Sequence, residues 1–170
     1  ECNKRGYNVV VVNYRETVDE AYPMPQKYLA NVLNIIKEDK RVSQVIGLGF
    51  SAGGHCILEM CLHHENYNID KLDLLMLAYP VITADERYAH MGSFDLLLKE
   101  EVNNKELRDY LSLEKQVNSD NAPDLFLWGT YTDLSVSVMN SLLLLEAYNK
   151  AKVNAEYHMF PYGAHGLSVA

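Results

Sequence analysis

The chain has 170 residues, of which 48% are hydrophobic and 22% are charged, a composition typical of one globular domain with a sizeable core. Its net charge of −8 argues against a nucleic-acid partner and against binding to an anionic membrane surface. No apolar run approaches the length of a membrane span.

Strands and helices are predicted to alternate along the whole chain. Apolar or β-branched runs predict the strands, and apolar residues at helical spacing predict the helices. The predicted elements in chain order are the end of a helix at 1–6, a strand at 7–13, a helix at 28–40, a strand at 42–49, a helix at 52–64, strands at 72–79 and 123–129, a helix at 137–150 and a strand at 154–160. This order predicts an α/β fold with a mainly parallel sheet and helices on both faces.

One long segment departs from this alternation. Residues 81–122 show no regular pattern, and we expect a cap-like insertion over the strand ends of a single domain that spans residues 1–170. Such an insertion would form part of a substrate pocket, and Phe50, Tyr79 and His90 are the predicted substrate-binding residues. A packing insertion without substrate contacts is the alternative.

The segment Gly49-Phe50-Ser51-Ala52-Gly53 has the pattern G-x-S-x-G between a predicted strand and a predicted helix. This pattern is typical of a nucleophile elbow, in which a strained turn exposes a serine hydroxyl above the strand ends. Gly49 and Gly53 would lack the Cβ atoms that collide as strand and helix fold back on each other. The backbone N–H of Ala52 would then lie where an oxyanion forms, at a helix N-terminus. A glycine-rich turn that holds phosphate is the alternative.

A nucleophilic serine needs a base, and the base needs a group that orients it. Functional groups of parallel α/β sheets gather at the carboxyl ends of the strands. Asp133 and His165 each follow the end of a predicted strand, and the order Ser51, Asp133, His165 is that of α/β-hydrolase triads. Asp133 as a simple helix cap and His165 as a solvated loop residue are the alternatives.

The remaining thiols and histidines give no second site. Cys2, Cys56 and Cys61 form no disulfide framework, and with the nearby histidines they do not match a zinc pattern, so we expect reduced thiols and no metal. Unpaired cysteines, and a given sequence that does not open on a signal-peptide pattern, favour the cytoplasm, although a segment upstream of Glu1 could carry such a signal. His55 is expected to have a structural role.

Taken together, five segments resemble bacterial α/β-hydrolase esterases, in particular the acetyl-esterase and acetylxylan-esterase-like branch. The resemblance runs over nearly the whole chain and implies hydrolysis of small carboxylic esters without a cofactor. It also implies Ser51 as nucleophile, His165 as base and Asp133 as orienting acid. The segments that carry it are Tyr14-Arg15, Gly49–His55, Ser112–Val117, Phe126–Thr130 and Phe160–Gly166.

The resemblance is incomplete at three places. Members of this branch usually have a histidine where Gly129 stands. They also carry a glycine-rich oxyanion loop on a strand ahead of residue 1, and a closing helix after the catalytic histidine. We therefore expect the 170 residues to be a fragment of a longer protein, and a poor catalyst by themselves, because one oxyanion donor is worth about 100- to 1,000-fold in rate.

Two other functions stay open at this point. A peptidase of the prolyl-oligopeptidase type would share the fold and the triad order but cleave amides. A non-catalytic α/β-hydrolase scaffold would use the domain for binding or assembly.

Overall fold

Four apolar runs of the sequence form one parallel sheet in a computed structural model that describes residues 2–14 and 21–167. The strands lie in the order β1-β2-β3-β4, and each pairs in parallel with the next. Leu48 faces Met76, Met76 faces Phe126, and Phe126 faces Glu156 across the sheet. The predicted parallel sheet is thus confirmed. The strands are β1 (Ile46–Phe50), β2 (Leu74–Ala78), β3 (Asp124–Thr130) and β4 (Ala155–Phe160).

Five α-helices connect or flank these strands in the described residues. They are α1 (Met24–Glu38), α2 (Ser51–Leu62), α3 (Met91–Leu98), α4 (Lys105–Tyr110) and α5 (Met139–Ala151). Short 3-10 helices lie at Cys2–Arg5, His64–Tyr67, Lys99–Glu101 and Leu113–Lys115. None of the described helices is both long and apolar enough to cross a membrane.

The main core lies between one face of the sheet and helices α2 and α5. Leu75, Leu77, Leu125 and Leu127 point to this face, because side chains alternate along a strand. They pack with Leu58 and Cys61 of α2 and with Leu144 and Tyr148 of α5, all in one buried cluster. Burial of such side chains stabilises a fold by about 1.5–3 kcal/mol each. The opposite face carries half-exposed or exposed apolar residues, among them Leu48 and Phe126.

The strand predicted at residues 7–13 is wrong. This segment has no regular secondary structure, and Val9, Val10 and Val11 are exposed. A β-branched run favours a strand only where a neighbouring strand completes the hydrogen-bonded ladder. Among the described residues β1 has no strand on its outer edge, and residues 7–13 do not take that place. The helix end predicted at 1–6 is a short 3-10 helix that stops at Gly6, whose φ of +88° suits glycine.

Residues 81–122 contain α3, α4 and two 3-10 helices around a second small core. Val81, Phe94, Leu98 and Leu111 are buried there together with Val136. The segment starts and ends at the sheet, where the Leu113 N–H donates to the Ile82 carbonyl over 3.1 Å. Its function as a cap over the strand ends stays a prediction.

Candidate active site

Ser51 lies at the junction of β1 and α2, in the strand–turn–helix context that the sequence predicts. Its φ of +51° lies in the left-handed region, which costs an ordinary residue about 1–3 kcal/mol. Phe50 before it is still extended, with φ −119° and ψ 132°. The turn therefore reverses the chain within one residue at the carboxyl end of the strand, which is how a nucleophile elbow presents its side chain.

Two glycines make this reversal sterically feasible, and they are Gly49 and Gly54. A Cβ atom at Gly49 would lie 2.7 Å from the Cα of Gly54 and 2.7 Å from the Ile57 side chain. A Cβ at Gly54 would lie 2.8 Å from Pro80. At Gly53 the nearest atom would be the Tyr14 hydroxyl at 3.4 Å, so the predicted steric need for glycine at Gly53 is wrong.

Replacing the two motif glycines, Gly49 and Gly53, is expected to change the stability of the fold differently. Gly49→Ala should lower the free energy of unfolding by about 1–3 kcal/mol, because its methyl group overpacks the elbow backbone. Gly53→Ala should leave it equal or raise it by up to about 1 kcal/mol, because Gly53 lies within α2 and alanine favours a helix. Urea unfolding followed by circular dichroism measures both. Equal destabilisation by the two substitutions would contradict the steric assignment.

The structure brings the three predicted triad side chains into one hydrogen-bonded chain. His165 Nε2 lies 2.9 Å from Ser51 Oγ, and His165 Nδ1 lies 2.7 Å from Asp133 Oδ2. The Asp133 side chain is 3% exposed and the His165 side chain 24%, so the imidazole is the partly accessible member of the pair. Both distances are within the range of good hydrogen bonds.

Asp133 also organises its own loop, but it does not cap a helix, because α5 begins at Met139 with Val138 as its N-cap; the helix-cap alternative is therefore wrong. The second oxygen of Asp133, Oδ1, accepts the N–H groups of Ser135 at 2.8 Å and Val136 at 3.0 Å. One carboxylate oxygen is thereby fixed by the backbone, and the other is left to the imidazole. The loop after β3 is organised around this side chain.

The loops after β3 and β4 are joined by two threonines that the sequence analysis did not single out. The Thr130 hydroxyl donates to the Gly163 carbonyl over 2.9 Å. The Thr132 hydroxyl donates to the same carbonyl over 3.2 Å and accepts the Gly163 N–H over 3.0 Å. A Cβ atom at Gly163 would lie 2.6 Å from the Thr130 side chain, so glycine is needed at this contact. These bonds hold the loop of His165 against the loop of Asp133.

Two predicted substrate-binding residues lie beside the Ser51–His165 pair. Tyr79 directly follows β2 with a φ of +38°, and its ring meets the His165 ring edge-on, with centroids 4.7 Å apart. The Phe50 ring lies 6.4 Å from Tyr79 and 6.3 Å from Trp128. The two rings therefore form an aromatic wall next to the imidazole. Contact with a substrate stays a prediction for both, as does the oxyanion role of the Ala52 N–H, which lies in the first turn of α2.

His90 has a structural contact of its own. Its Nδ1 accepts the Ser93 N–H over 3.2 Å and lies 2.8 Å from the Ser93 hydroxyl, so the ring caps the start of α3. The predicted role of His90 in substrate binding is left untested by these contacts.

The other histidine and thiol groups near the elbow are buried. His55 Nε2 lies 3.0 Å from the Leu111 carbonyl, and burial lowers the pKa of His55, which favours a neutral ring that donates this bond. Burial also raises the pKa of Cys61 to about 12, so that thiol stays protonated. Both agree with the predicted structural roles. Among the residues that the structure describes, no group of three or more His, Cys, Asp or Glu side chains could hold a metal ion.

A buried carboxyl group lies two turns further along α2. Glu59 accepts the hydroxyl of Tyr22 over 3.0 Å and that of Tyr67 over 2.8 Å, and His63 Nδ1 lies 3.1 Å from it. The His63 ring stacks on Tyr110 with centroids 4.4 Å apart. The sequence feature that could have indicated this buried carboxyl group is its position as the lone acidic residue in the helical run from Gly53 to Leu62, which is apolar on nearly every side.

The chain is similar to known α/β hydrolases and to proteins that act on xylan or its acetyl esters. The family described as having the alpha/beta hydrolase fold matches residues 2–168. The chain is 33% identical to endo-1,4-beta-xylanase B of Butyrivibrio fibrisolvens over all of its own length, and 28% identical to an acetylxylan esterase of Xylanibacter ruminicola over 97% of it. It spans only 29% and 35% of the lengths of these two proteins.

A solved structure is similar as well. The acetyl ester-xyloside bifunctional hydrolase from Caldicellulosiruptor lactoaceticus superposes with a TM-score of 0.73 at 34% identity, over 91% of this chain and 61% of that one. These similarities confirm the fold class and the esterase resemblance that the sequence predicts.

Proposed function

Since the chain belongs to the family with the alpha/beta hydrolase fold, we propose that it is a serine hydrolase. It would hydrolyse small carboxylic esters through an acyl-serine intermediate. The observation that carries this proposal is the unbroken chain of hydrogen bonds from Ser51 through His165 to Asp133. A serine, a histidine and a carboxylate in this arrangement are the parts that acyl transfer requires.

In the proposed mechanism, His165 Nε2 takes the proton of Ser51 Oγ while that oxygen attacks the ester carbonyl carbon. Asp133 keeps Nδ1 protonated, so that Nε2 is free to accept. The N–H of Ala52 donates to the oxyanion of the tetrahedral intermediate. His165 then gives its proton to the leaving alcohol, and a water molecule releases the acid by the same steps in reverse. Side chains supply every proton transfer, so the proposal needs no cofactor.

For the substrate we propose acetyl esters, in particular those of sugars. Two of the similar proteins, an acetylxylan esterase and an acetyl ester-xyloside bifunctional hydrolase, support this choice. Phe50, Tyr79 and His90 are the proposed substrate-binding residues, and the Tyr79 ring lies next to the His165 imidazole with the Phe50 ring beside it. The buried free thiols of Cys56 and Cys61 favour a reducing compartment, and we propose the cytoplasm.

Labelling with a fluorophosphonate probe tests the proposal. Intact-mass spectrometry should find one adduct on the chain and one on Ser119→Ala, a control at an exposed serine, but none on Ser51→Ala. The probe needs an activated serine and does not need the natural ester. An adduct on Ser51→Ala would contradict the proposed site by placing the activated serine elsewhere, and no adduct on a wild-type chain shown to be folded would contradict it and favour a non-catalytic scaffold.

A further inference from the structure

Tyr79 has a backbone conformation that tyrosine rarely takes. It directly follows β2, and its φ of +38° lies in the left-handed region, where bulky residues are outliers. Phe50 and Ala78 are register partners on β1 and β2, so Ser51 and Tyr79 take the same position on neighbouring strands, and both have a positive φ. Such strain persists only where the surroundings fix it, and it concentrates at active sites.

Contacts on both sides hold the turn that carries Tyr79. The Tyr79 N–H donates to the carbonyl of Trp128 on β3 over 2.7 Å, and the Val81 N–H donates to the Ser51 carbonyl over 3.1 Å. Pro80, the residue between them, packs directly against the first turn of α2. The turn is thereby tied to β3 and to the elbow, so the position of Tyr79 relative to Ser51 is fixed.

The ring of Tyr79 lies against the imidazole of His165. The two ring centroids are 4.7 Å apart, and the ring planes meet at 63°. The Tyr79 side chain is buried, and the Phe50 ring lies 6.4 Å from it. Because its backbone and its ring are both confined, Tyr79 presents a fixed surface to the imidazole.

The hydrogen bonds of His165 leave one movement of the imidazole open. Its nitrogens face Asp133 Oδ2 and Ser51 Oγ, and hydrogen bonds at ring nitrogens lie in the plane of the ring. They resist movement within that plane, whereas a rotation about the line that joins the two nitrogens keeps both bonds. The loop adds little restraint, since Ala164 and Gly166 on either side are exposed. A rigid ring beside the imidazole blocks this rotation.

We propose that Tyr79 is a positioning residue for the catalytic histidine, whose ring keeps the His165 imidazole aligned with Ser51 Oγ. This role explains why a bulky residue takes a conformation that suits glycine. The inference rests on the proposed function, because it assumes that His165 takes the proton of Ser51. It is separate from the substrate contact proposed for the same side chain, and kinetics distinguish the two.

The second-order rate constant of fluorophosphonate labelling at Ser51 tests the proposal. Tyr79→Leu removes the ring and should lower this constant about 10- to 100-fold, the cost of misplacing a reacting group by about 1 Å. Tyr79→Phe keeps the ring and should stay within about threefold of the wild-type chain. Tyr79→Met is a second variant without a ring, with a flexible side chain, and it should show the same fall if Tyr79→Leu does not fold.

Tyr148→Leu is the matched control. Tyr148 is a buried tyrosine of α5 in the main core, so the same substitution there removes a buried ring away from the imidazole. The labelling rate constant of its folded fraction should stay within about threefold of the wild-type value.

Hydrolysis of 4-nitrophenyl acetate and 4-nitrophenyl butyrate separates positioning from substrate contact. If Tyr79 positions His165, kcat of Tyr79→Leu should fall by the same factor for both esters, with KM changed less than about threefold. A ring that served only as a wall of the substrate pocket would change KM instead, and by different factors for the two acyl groups.

Three outcomes would overturn the positioning role. They are labelling of the folded ring-free variants within about threefold of the wild-type rate, an equal loss in Tyr79→Phe or Tyr148→Leu, and a change confined to KM. Failure of the proposed function would show separately, because the wild-type chain itself would then carry no adduct at Ser51.

Discussion

Asp133→Asn is expected to lower kcat/KM for 4-nitrophenyl acetate by about 10⁴-fold while the chain stays folded. The reason lies in the two oxygens of the carboxylate. Oδ1 accepts the N–H groups of Ser135 and Val136, and an asparagine can keep both bonds by placing its amide oxygen there. Its NH₂ group must then face His165.

An NH₂ group in that position reverses the tautomer of the histidine. Nδ1 has to become the acceptor, so the proton moves to Nε2, the atom 2.9 Å from Ser51 Oγ. The imidazole can then no longer take the serine proton. Because the backbone bonds of the loop survive, the free energy of unfolding should change by less than about 1 kcal/mol.

The loss of activity is measured in two ways, by steady-state hydrolysis and by the second-order rate constant of fluorophosphonate labelling. The labelling rate can still be measured where turnover is too slow to follow. Asp109→Asn is the control, since Asp109 is exposed and its carboxylate pairs with Lys115 far from the substituted loop. A loss below about tenfold would contradict the role of Asp133 as the orienting acid. Asp133→Ala should reach a similar rate but also unfold more easily, because two backbone N–H groups lose their acceptor.

The four strands of the sheet and the triad residues could be predicted from short segments of the sequence. Each strand of the sheet is a short apolar run. Ser51 follows directly on β1, and Asp133 and His165 lie in the loops that follow β3 and β4. In a parallel sheet all carboxyl ends lie at one edge, so sequence positions alone bring the three groups near each other. No detailed packing was needed for that step.

Features that depend on contacts distant in sequence were not predictable in this way. Residues 7–13 have strand propensity, but a strand also needs a neighbour, and propensity does not supply one. The need for glycine at Gly54 comes from Pro80, a residue in another loop, whereas the motif pointed to Gly53. The pairing of Thr132 with Gly163 spans 31 residues, and nothing in either local sequence indicates the other.

Glu59 shows the same limit most clearly. An acidic residue in a helix that is apolar on nearly every side has no solvent face to occupy, which signals a buried carboxyl group with partners. The identity of the partners is not in the local pattern. Tyr22 lies 37 positions before Glu59, and Tyr67 follows after the helix has ended.

Glu59→Leu is expected to lower the free energy of unfolding by about 2–4 kcal/mol, because each tyrosine hydroxyl left without an acceptor costs about 1–3 kcal/mol. Burial and the neighbouring Glu59 raise the pKa values of Tyr22 and Tyr67, so both hydroxyls keep their protons and need an acceptor. Leucine removes that acceptor and leaves both hydroxyls facing an apolar group, whereas His63 Nδ1 keeps the Glu59 backbone carbonyl at 3.2 Å. Urea unfolding followed by Trp128 fluorescence measures the change.

Two further variants separate the network from a general effect of the substitution. Glu59→Gln keeps one oxygen as an acceptor, and the tyrosine hydroxyls can turn to accept from its NH₂ group, so its cost should be about 1–2 kcal/mol. Glu65→Leu makes the same change at an exposed position of the following 3-10 helix and should cost less than about 0.5 kcal/mol. A cost of Glu59→Leu no larger than that of Glu65→Leu would mean that the tyrosine hydroxyls find other partners. Glu59 would then not be the residue that joins α2, the helix that carries Ser51, to the segment before α1 and to the 3-10 helix His64–Tyr67.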